Sequence, residues 1–297
     1  MNILQQKNKL SAVETIQRIH QPEVGSFEKN FLSRHQPVII TGEIEHWQSL
    51  SKWNASYLNA VVGDKQVDIN VSKTGIFINE MENYFSMVTK KMQFQEFMNL
   101  IMQKNELIDE YYYLRQQSIT TIFPELAQDI DAPKYFNKKL LLFSNIWIGS
   151  GGNISPLHFD TLNNFLVQVT GRKKVLLFNP QQTSLLYPFP IQVKRPHLSQ
   201  VNIDNPNLQK FPKFTKAKFL ECILEAGEIL FIPLMWWHQV YSLDQLNISV
   251  NFWWKAKFQE YLTQSSARQF PVIAKQCLRK IFMHIKSIKK EELTTRG

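Results

Sequence analysis

The chain has 297 residues, 44% of them hydrophobic, with 34 basic and 25 acidic residues and a formal net charge of +9. That apolar content excludes a mainly disordered protein and supports one large domain, or a domain with a helical appendage. Two cysteines exclude a disulfide framework, the N-terminus has no apolar leader segment, and no run of about 18 apolar residues occurs, so a cytoplasmic protein with no membrane role is expected.

Residues 11–32 are polar with spaced apolar positions, and Val38-Ile39-Ile40 before Thr41-Gly42 reads as a short buried strand ending at a turn. Residues 47–62 have a helical pattern. Val67-Asp68-Ile69-Asn70-Val71 alternates with period two, as an edge or half-buried strand does. A second helical pattern covers 94–108, and Tyr111-Tyr112-Tyr113-Leu114 opens the strand-rich part.

From residue 140 to residue 254, short apolar segments at 140–148, 165–169, 175–178, 219–224, 228–232 and 247–254 are punctuated by Gly, Pro and Asn. No helical patterns alternate with them. The series predicts a mainly β fold with flanking helices, an antiparallel sandwich or jelly roll whose interior can hold a site. The proline-rich stretch 181–214 is a long insertion of the kind that carries substrate recognition beside a site.

After Lys255 the composition changes, and 258–265 and 272–288 read as amphipathic helices, the second with Leu278, Ile281, Phe282, Ile285 and Ile288 at helical spacing. We therefore divide the chain into a domain at 1–257 and a basic helical extension at 258–297. From Lys275 onward the extension carries a charge surplus of five, from seven basic and two acidic residues. A solvated helix face is the ordinary reading of that run; contact with nucleic acid or homodimerisation through the apolar stripe is the sharper one.

Chemistry concentrates elsewhere. In Ser155-Pro156-Leu157-His158-Phe159-Asp160 the residues i and i+2 project from one face of a strand, so both heteroatoms can reach one ion. A lone His238 ends the apolar run Ile232-Pro233-Leu234-Met235-Trp236-Trp237-His238, and a sheet can return it beside the first two. Two imidazoles and one carboxylate are the ligand set of non-haem Fe(II) oxygenases, which leave about three octahedral positions open, whereas a structural zinc site closes its shell. His-x-Asp alone is a weak signal, since either residue often serves only a turn or a local hydrogen bond; the surrounding strands strengthen it. Beyond Asp160 the chain reads as a hairpin turning at Gly171, which would fold Lys173 back towards the ligands. There an ammonium can neutralise the far carboxylate of a dicarboxylate cosubstrate, although a solvated turn lysine is the default for Lys-Lys beside a glycine.

The stretches Gly152-Asn153-Ile154-Ser155-Pro156-Leu157-His158-Phe159-Asp160, Leu186-Tyr187-Pro188-Phe189-Pro190, Asp204-Asn205-Pro206, 232–238 and Val250-Asn251-Phe252-Trp253 resemble the JmjC and cupin-like 2-oxoglutarate oxygenases, most closely the asparaginyl hydroxylases among them. The likeness covers roughly 37–255. It implies a double-stranded β-helix core with N-terminal α/β elements and C-terminal helices, Fe(II) held by His158, Asp160 and His238, and 2-oxoglutarate and O2 as cosubstrates. It further implies that Lys173 holds the distal carboxylate of 2-oxoglutarate, with Ser155 and one of Tyr111 to Tyr113, Tyr113 for preference, beside it. Asn164 and Asn251 match amides at the chelated end, and Trp253 matches an aromatic packed on that pocket. An apolar surround of Phe165, Phe231, Trp237 and Trp253 would limit water entry.

Two departures stand out. Where asparaginyl hydroxylases grip the substrate amide with an Arg-Gln pair, this chain has His197-Leu198, and Leu198 cannot hydrogen-bond a carboxamide. Arg115 interrupts a Tyr-Leu-Gln-Gln segment near another substrate contact. The expected activity is hydroxylation of a protein or peptide side chain with release of succinate and CO2. The alternatives are hydroxylation of tRNA by the same chemistry, and a non-enzymatic cupin-like protein that uses its metal structurally.

Overall fold

The computed structural model describes residues 14–78, 87–103, 110–193 and 195–261. Two sheets dominate. The smaller has the strand order β1 (Glu14–Thr15), β11 (Leu220–Leu224), β10 (Lys173–Phe178), β13 (Trp237–Ser242) and β8 (Ile154–Phe159). The larger has the order β2 (Arg18–His20), β3 (Val38–Thr41), β12 (Ile229–Ile232), β9 (Asn163–Thr170), β14 (Asn247–Trp254), β7 (Leu141–Gly149), β6 (Tyr111–Ser118), β4 (Gln66–Ser72) and β5 (Val88–Gln93). Mainly β, with two large sheets and few helices, the chain has the expected jelly-roll architecture.

Strand parity separates three cores. Between the sheets, Val175 and Leu177 of β10 meet Leu166 of β9, Ile39 of β3 and Leu230 and Ile232 of β12. The next residues along β9 and β14, Phe165, Val167, Phe252 and Trp254, face outward and bury in a core shared with Leu58, Phe94 and Phe97 of the helices and with Phe123 between two short helices. On the far side of the smaller sheet, Phe159, Phe178 and Trp237 are covered by Leu186, Val201, Phe211 and Phe214. Most of the 181–214 stretch is therefore a lid over an apolar sheet face, and its prolines and 3₁₀ turns suit a segment that adds no strand.

Several local expectations change. The 47–62 pattern is two helices, Ser49–Lys52 and Ala55–Val62, because the side chain of Asn54 accepts a hydrogen bond from the Tyr57 N–H at 3.0 Å and starts a new helix. Of the two alternatives for 67–71 the half-buried strand holds and the edge does not: β5 and β6 flank β4, and its alternation arises because Val67 and Ile69 are buried on one face. Residues 165–178 do not form a hairpin. β9 pairs with β12 and β14, whereas β10 pairs with β11 and β13, so the turn at Gly171 carries the chain from one sheet to the other. Gly171 has φ +70, and a Cβ there would lie 2.3 Å from the Leu246 carbonyl oxygen, so glycine is required at this corner.

The helix Phe258–Tyr261 closes the described chain, with the Tyr261 hydroxyl donating to the Thr161 carbonyl at 3.0 Å and Asn163 Nδ2 donating to Glu260 at 3.1 Å. The amphipathic pattern at 272–288, the basic run and the homodimer expectation lie outside the described residues, as does Cys277. Cys222 is buried and free. Among the described residues, no helix is long and apolar enough to cross a membrane.

Candidate metal centre

β8 and β13 are antiparallel neighbours, and their register sets His158 directly opposite His238. The two rings lie 4.1 Å apart between centroids. Asp160 follows the end of β8, where its carbonyl accepts from the Met235 N–H at 2.8 Å. That bond ties Asp160 to the tight turn 233–236, in which Met235 has φ +65. The same turn takes the chain from β12 in the larger sheet to β13 in the smaller. His238 therefore returns beside the first two residues, and one donor atom from each of the three lies within 4.8 Å of the others.

Hydrogen bonds aim these donors. His158 Nδ1 lies 2.7 Å from the Pro156 carbonyl and His238 Nδ1 lies 3.0 Å from the Trp236 carbonyl. A carbonyl only accepts, so in the neutral rings Nδ1 carries the proton and Nε2 presents its lone pair. The Asp160 Oδ2 atom accepts from the indole N–H of Trp253 at 3.0 Å and lies 3.8 Å from His238 Nε2. Burial, reinforced by the neighbouring His238, pushes the pKa of His158 down to about 3, which keeps this imidazole unprotonated and available to a cation. For Asp160 burial acts upward, but the two imidazoles and the Trp253 hydrogen bond outweigh it, and the carboxyl sits below its ordinary value. Two fixed imidazole nitrogens and one ionised carboxylate fit a divalent transition metal.

The same cavity contains a second feature. Lys173 is 2% exposed; its ammonium donates to Ser249 Oγ at 2.8 Å and to the Tyr113 hydroxyl at 3.4 Å. No carboxylate of the described residues pairs with it. Taking an ammonium out of water costs several kcal/mol, so this group is prepared for an anion. Tyr113 reaches it because Gly149 lies opposite in the β6–β7 ladder, where a Cβ would come within 2.7 Å of the Tyr113 ring.

All of the expected site residues line this one cavity: His158, Asp160, His238, Ser155, Tyr113, Asn164, Lys173, Asn251 and Trp253. Asn251 Nδ2 donates to Asn164 Oδ1 at 2.7 Å, joining the two amides. Lys173 reaches the cavity because β10 pairs with β13 in the same sheet as the two histidines, rather than along a hairpin with β9. The expected apolar surround is corrected. Phe165 and Phe231 belong to the outer face of the larger sheet and Trp237 to the outer face of the smaller, because each is one residue out of register with the inward-facing set. Trp253 lines the cavity as expected, and Leu166, Ile232, Val240, Trp147 and Phe77 take the place of the other three. Ser249 was missed, although its period-two spacing from Asn251 and Trp253 marks the inward face of β14. His197 lies near the Asp160 carboxylate, its own pKa lowered chiefly by burial.

A model of the cupin-like domain matches residues 24–260. The chain belongs to the cupin-like domain family. Its relatives mark this cupin-like domain as JmjC-type. It is 33% identical over 257 residues to lysine-specific demethylase 8 of Xenopus tropicalis, covering 82% of this chain and 54% of that protein. It is 36% identical over 260 residues to lysine-specific demethylase 8 of Danio rerio, covering 82% and 59%. Against tRNA wybutosine-synthesizing protein 5 of Gallus gallus it is 35% identical over 243 residues, covering 77% and 73%. The chain thus spans little more than half the length of the two demethylase relatives.

Proposed function

We propose that this protein is an Fe(II)- and 2-oxoglutarate-dependent oxygenase that hydroxylates a side chain of a protein or peptide and releases succinate and CO2. One observation supports the reading above all: a two-histidine, one-carboxylate ligand set shares a single cavity with a buried ammonium that has no carboxylate partner among the described residues. His158, Asp160 and His238 would hold the iron, which when bound supplies activation of O2 with 2-oxoglutarate as the two-electron reductant. Lys173, with Ser249 and the Tyr113 hydroxyl, would neutralise the distal carboxylate of 2-oxoglutarate, and Ser155 lines the same cavity. Trp253 fixes the Asp160 carboxylate, and the Asn164–Asn251 pair offers amides to polar groups near the metal.

The asparaginyl-hydroxylase likeness is not singled out by these relatives, and Leu198 argues against the same amide grip. A second reading, hydroxylation of tRNA, is favoured by the relatives named for wybutosine synthesis and by the basic balance of the chain. Demethylation of a protein lysine is the corresponding expectation from the relatives named lysine-specific demethylase. The test is succinate release that requires both Fe(II) and 2-oxoglutarate, followed by mass spectrometry of peptide and tRNA substrates. A gain of one oxygen identifies hydroxylation, and loss of methyl groups identifies demethylation. No succinate with any metal would leave a non-enzymatic cupin-like protein.

A further inference from the structure

β6 is interrupted opposite Trp147. Leu114 pairs with Ile148 and Gln117 pairs with Ile146, so Arg115 and Gln116 together face the single residue Trp147. This is a β-bulge, and Gln116 takes the left-handed conformation with φ +51 to form it. The bulge aims Arg115 into the cavity, where its guanidinium stacks over Trp147 at 5.8 Å and over Phe77 at 5.9 Å. One of its terminal nitrogens donates to the Phe77 carbonyl at 3.1 Å and to the sulfur of Met87. Both acceptors are neutral. The Nε atom of Arg115 and the Nε1 atom of Trp147 are each buried without a hydrogen-bond partner.

Asp160 is the single carboxylate among the described residues lining this cavity, and it faces the imidazoles and Trp253. Arg115 therefore has no counter-ion among the described residues. Burial, with Arg195 nearby acting in the same direction, pulls its pKa down to about 10, so it remains cationic at neutral pH. The half-buried guanidinium, its Nε unpaired, and the unpaired indole N–H share one wall and form an incomplete site that calls for an acceptor with negative charge.

We propose that Arg115 and the indole N–H of Trp147 hold a carboxylate of the bound peptide substrate, an acidic side chain or a chain terminus. This rests on the oxygenase reading above. A carboxylate suits the site better than a nucleic-acid backbone, because phosphate tracks are gripped by many exposed cations along a surface, whereas these donors sit inside one cavity. Lys173 is the separate anchor for the cosubstrate.

The test presents the immobilised full chain with two random decapeptide pools, one containing Asp and Glu and the other Asn and Gln at the same positions, with and without saturating 2-oxoglutarate. The acidic pool should be retained about tenfold more tightly in both conditions, equivalent to about 1.4 kcal/mol. Arg115→Gln should erase the preference. Trp147→Phe, which keeps an aromatic ring but removes the N–H, should reduce it several-fold. Thermal melts establish that each variant is folded, and if Arg115→Gln does not fold, an undiminished preference in Trp147→Phe overturns the proposal. Nonspecific attraction to a chain of charge +9 would survive Arg115→Gln, and that survival also overturns it. So would displacement of the acidic pool by 2-oxoglutarate, or retention of tRNA in preference to acidic peptides. Succinate release by the unaltered protein is read separately: its absence refutes the oxygenase reading, while the retention result still decides the carboxylate site.

Discussion

His158 and His238 are a directly opposed cross-strand pair, one from each of two adjacent antiparallel strands, with ring centroids 4.1 Å apart. Removing either ring leaves the ladder intact and deletes one donor. His158→Ala and Asp160→Ala should therefore keep the fold, since both side chains face the cavity, while metal affinity and 2-oxoglutarate decarboxylation are abolished. Calorimetric titration with Co(II) and a succinate assay check this. Retained turnover in both variants would remove these residues from the metal site.

Acid should destabilise the metal-free protein before it disrupts the rest of the fold. The pKa of His158 falls to about 3 on folding, from an ordinary value near 6.5. The unfolded chain therefore binds more protons below that ordinary value, and stability declines as pH drops from about 6.5 towards 3. Asp160, also lowered, acts with the same sign: its contribution is present above its unfolded value and is lost as pH falls further. Each fully differential proton changes stability by about 1.4 kcal/mol per pH unit. Urea midpoints at pH 7, 6 and 5 measure the slope, and His158→Phe should flatten it. A pH-independent midpoint would contradict the assigned shifts.

On the proposed reading Lys173 anchors an anion, and its worth to the folded protein alone should be small or negative. Lys173→Met keeps the aliphatic stem and removes the ammonium. We expect the thermal midpoint of the ligand-free protein to be unchanged or higher, because an unpaired buried charge is lost. The apparent affinity for 2-oxoglutarate should fall by at least about tenfold, the worth of one charge-assisted pair. Fluorescence thermal melts with and without 2-oxoglutarate separate the two effects. A 2-oxoglutarate-induced shift equal to that of the unaltered protein would assign the distal carboxylate elsewhere.

The candidate metal ligands were legible because period two on a strand is short-range: His158 and Asp160 announce each other within three residues. His238 was legible through the apolar run before it and the turn at Pro233. Register between sheets was not. Phe165 and Phe231 look as suitable a cavity wall as Leu166 and Ile232, and only pairing decides which parity faces inward. The Gly171 turn misled for a related reason, since a glycine between two strands marks a hairpin and a sheet-to-sheet corner alike. The β6 bulge left no local signature either, so the aim of Arg115 could not be read from Tyr113-Leu114-Arg115-Gln116.

Trp253 should govern the metal without touching it. Its indole N–H donates at 3.0 Å to Asp160 Oδ2, the oxygen that lies 3.8 Å from His238 Nε2. Trp253→Phe preserves an aromatic ring of similar shape and removes that one donor. A ligand whose supporting hydrogen bond is lost typically costs 10- to 100-fold in metal affinity. The expectation is a drop of that order in Co(II) affinity with a thermal midpoint within a few degrees of the original. A merely structural tryptophan would behave in the opposite way, lowering the midpoint while leaving affinity intact. Because Asp160 lies just past the end of β8, with a turn on its other side, the indole bond is its main side-chain restraint when no metal is bound. The variant should therefore also raise the pKa of Asp160, since a hydrogen bond to the charged form is gone. Carboxyl carbon NMR of the metal-free protein reads that titration directly, and an unmoved Asp160 resonance would show that the indole does not hold it.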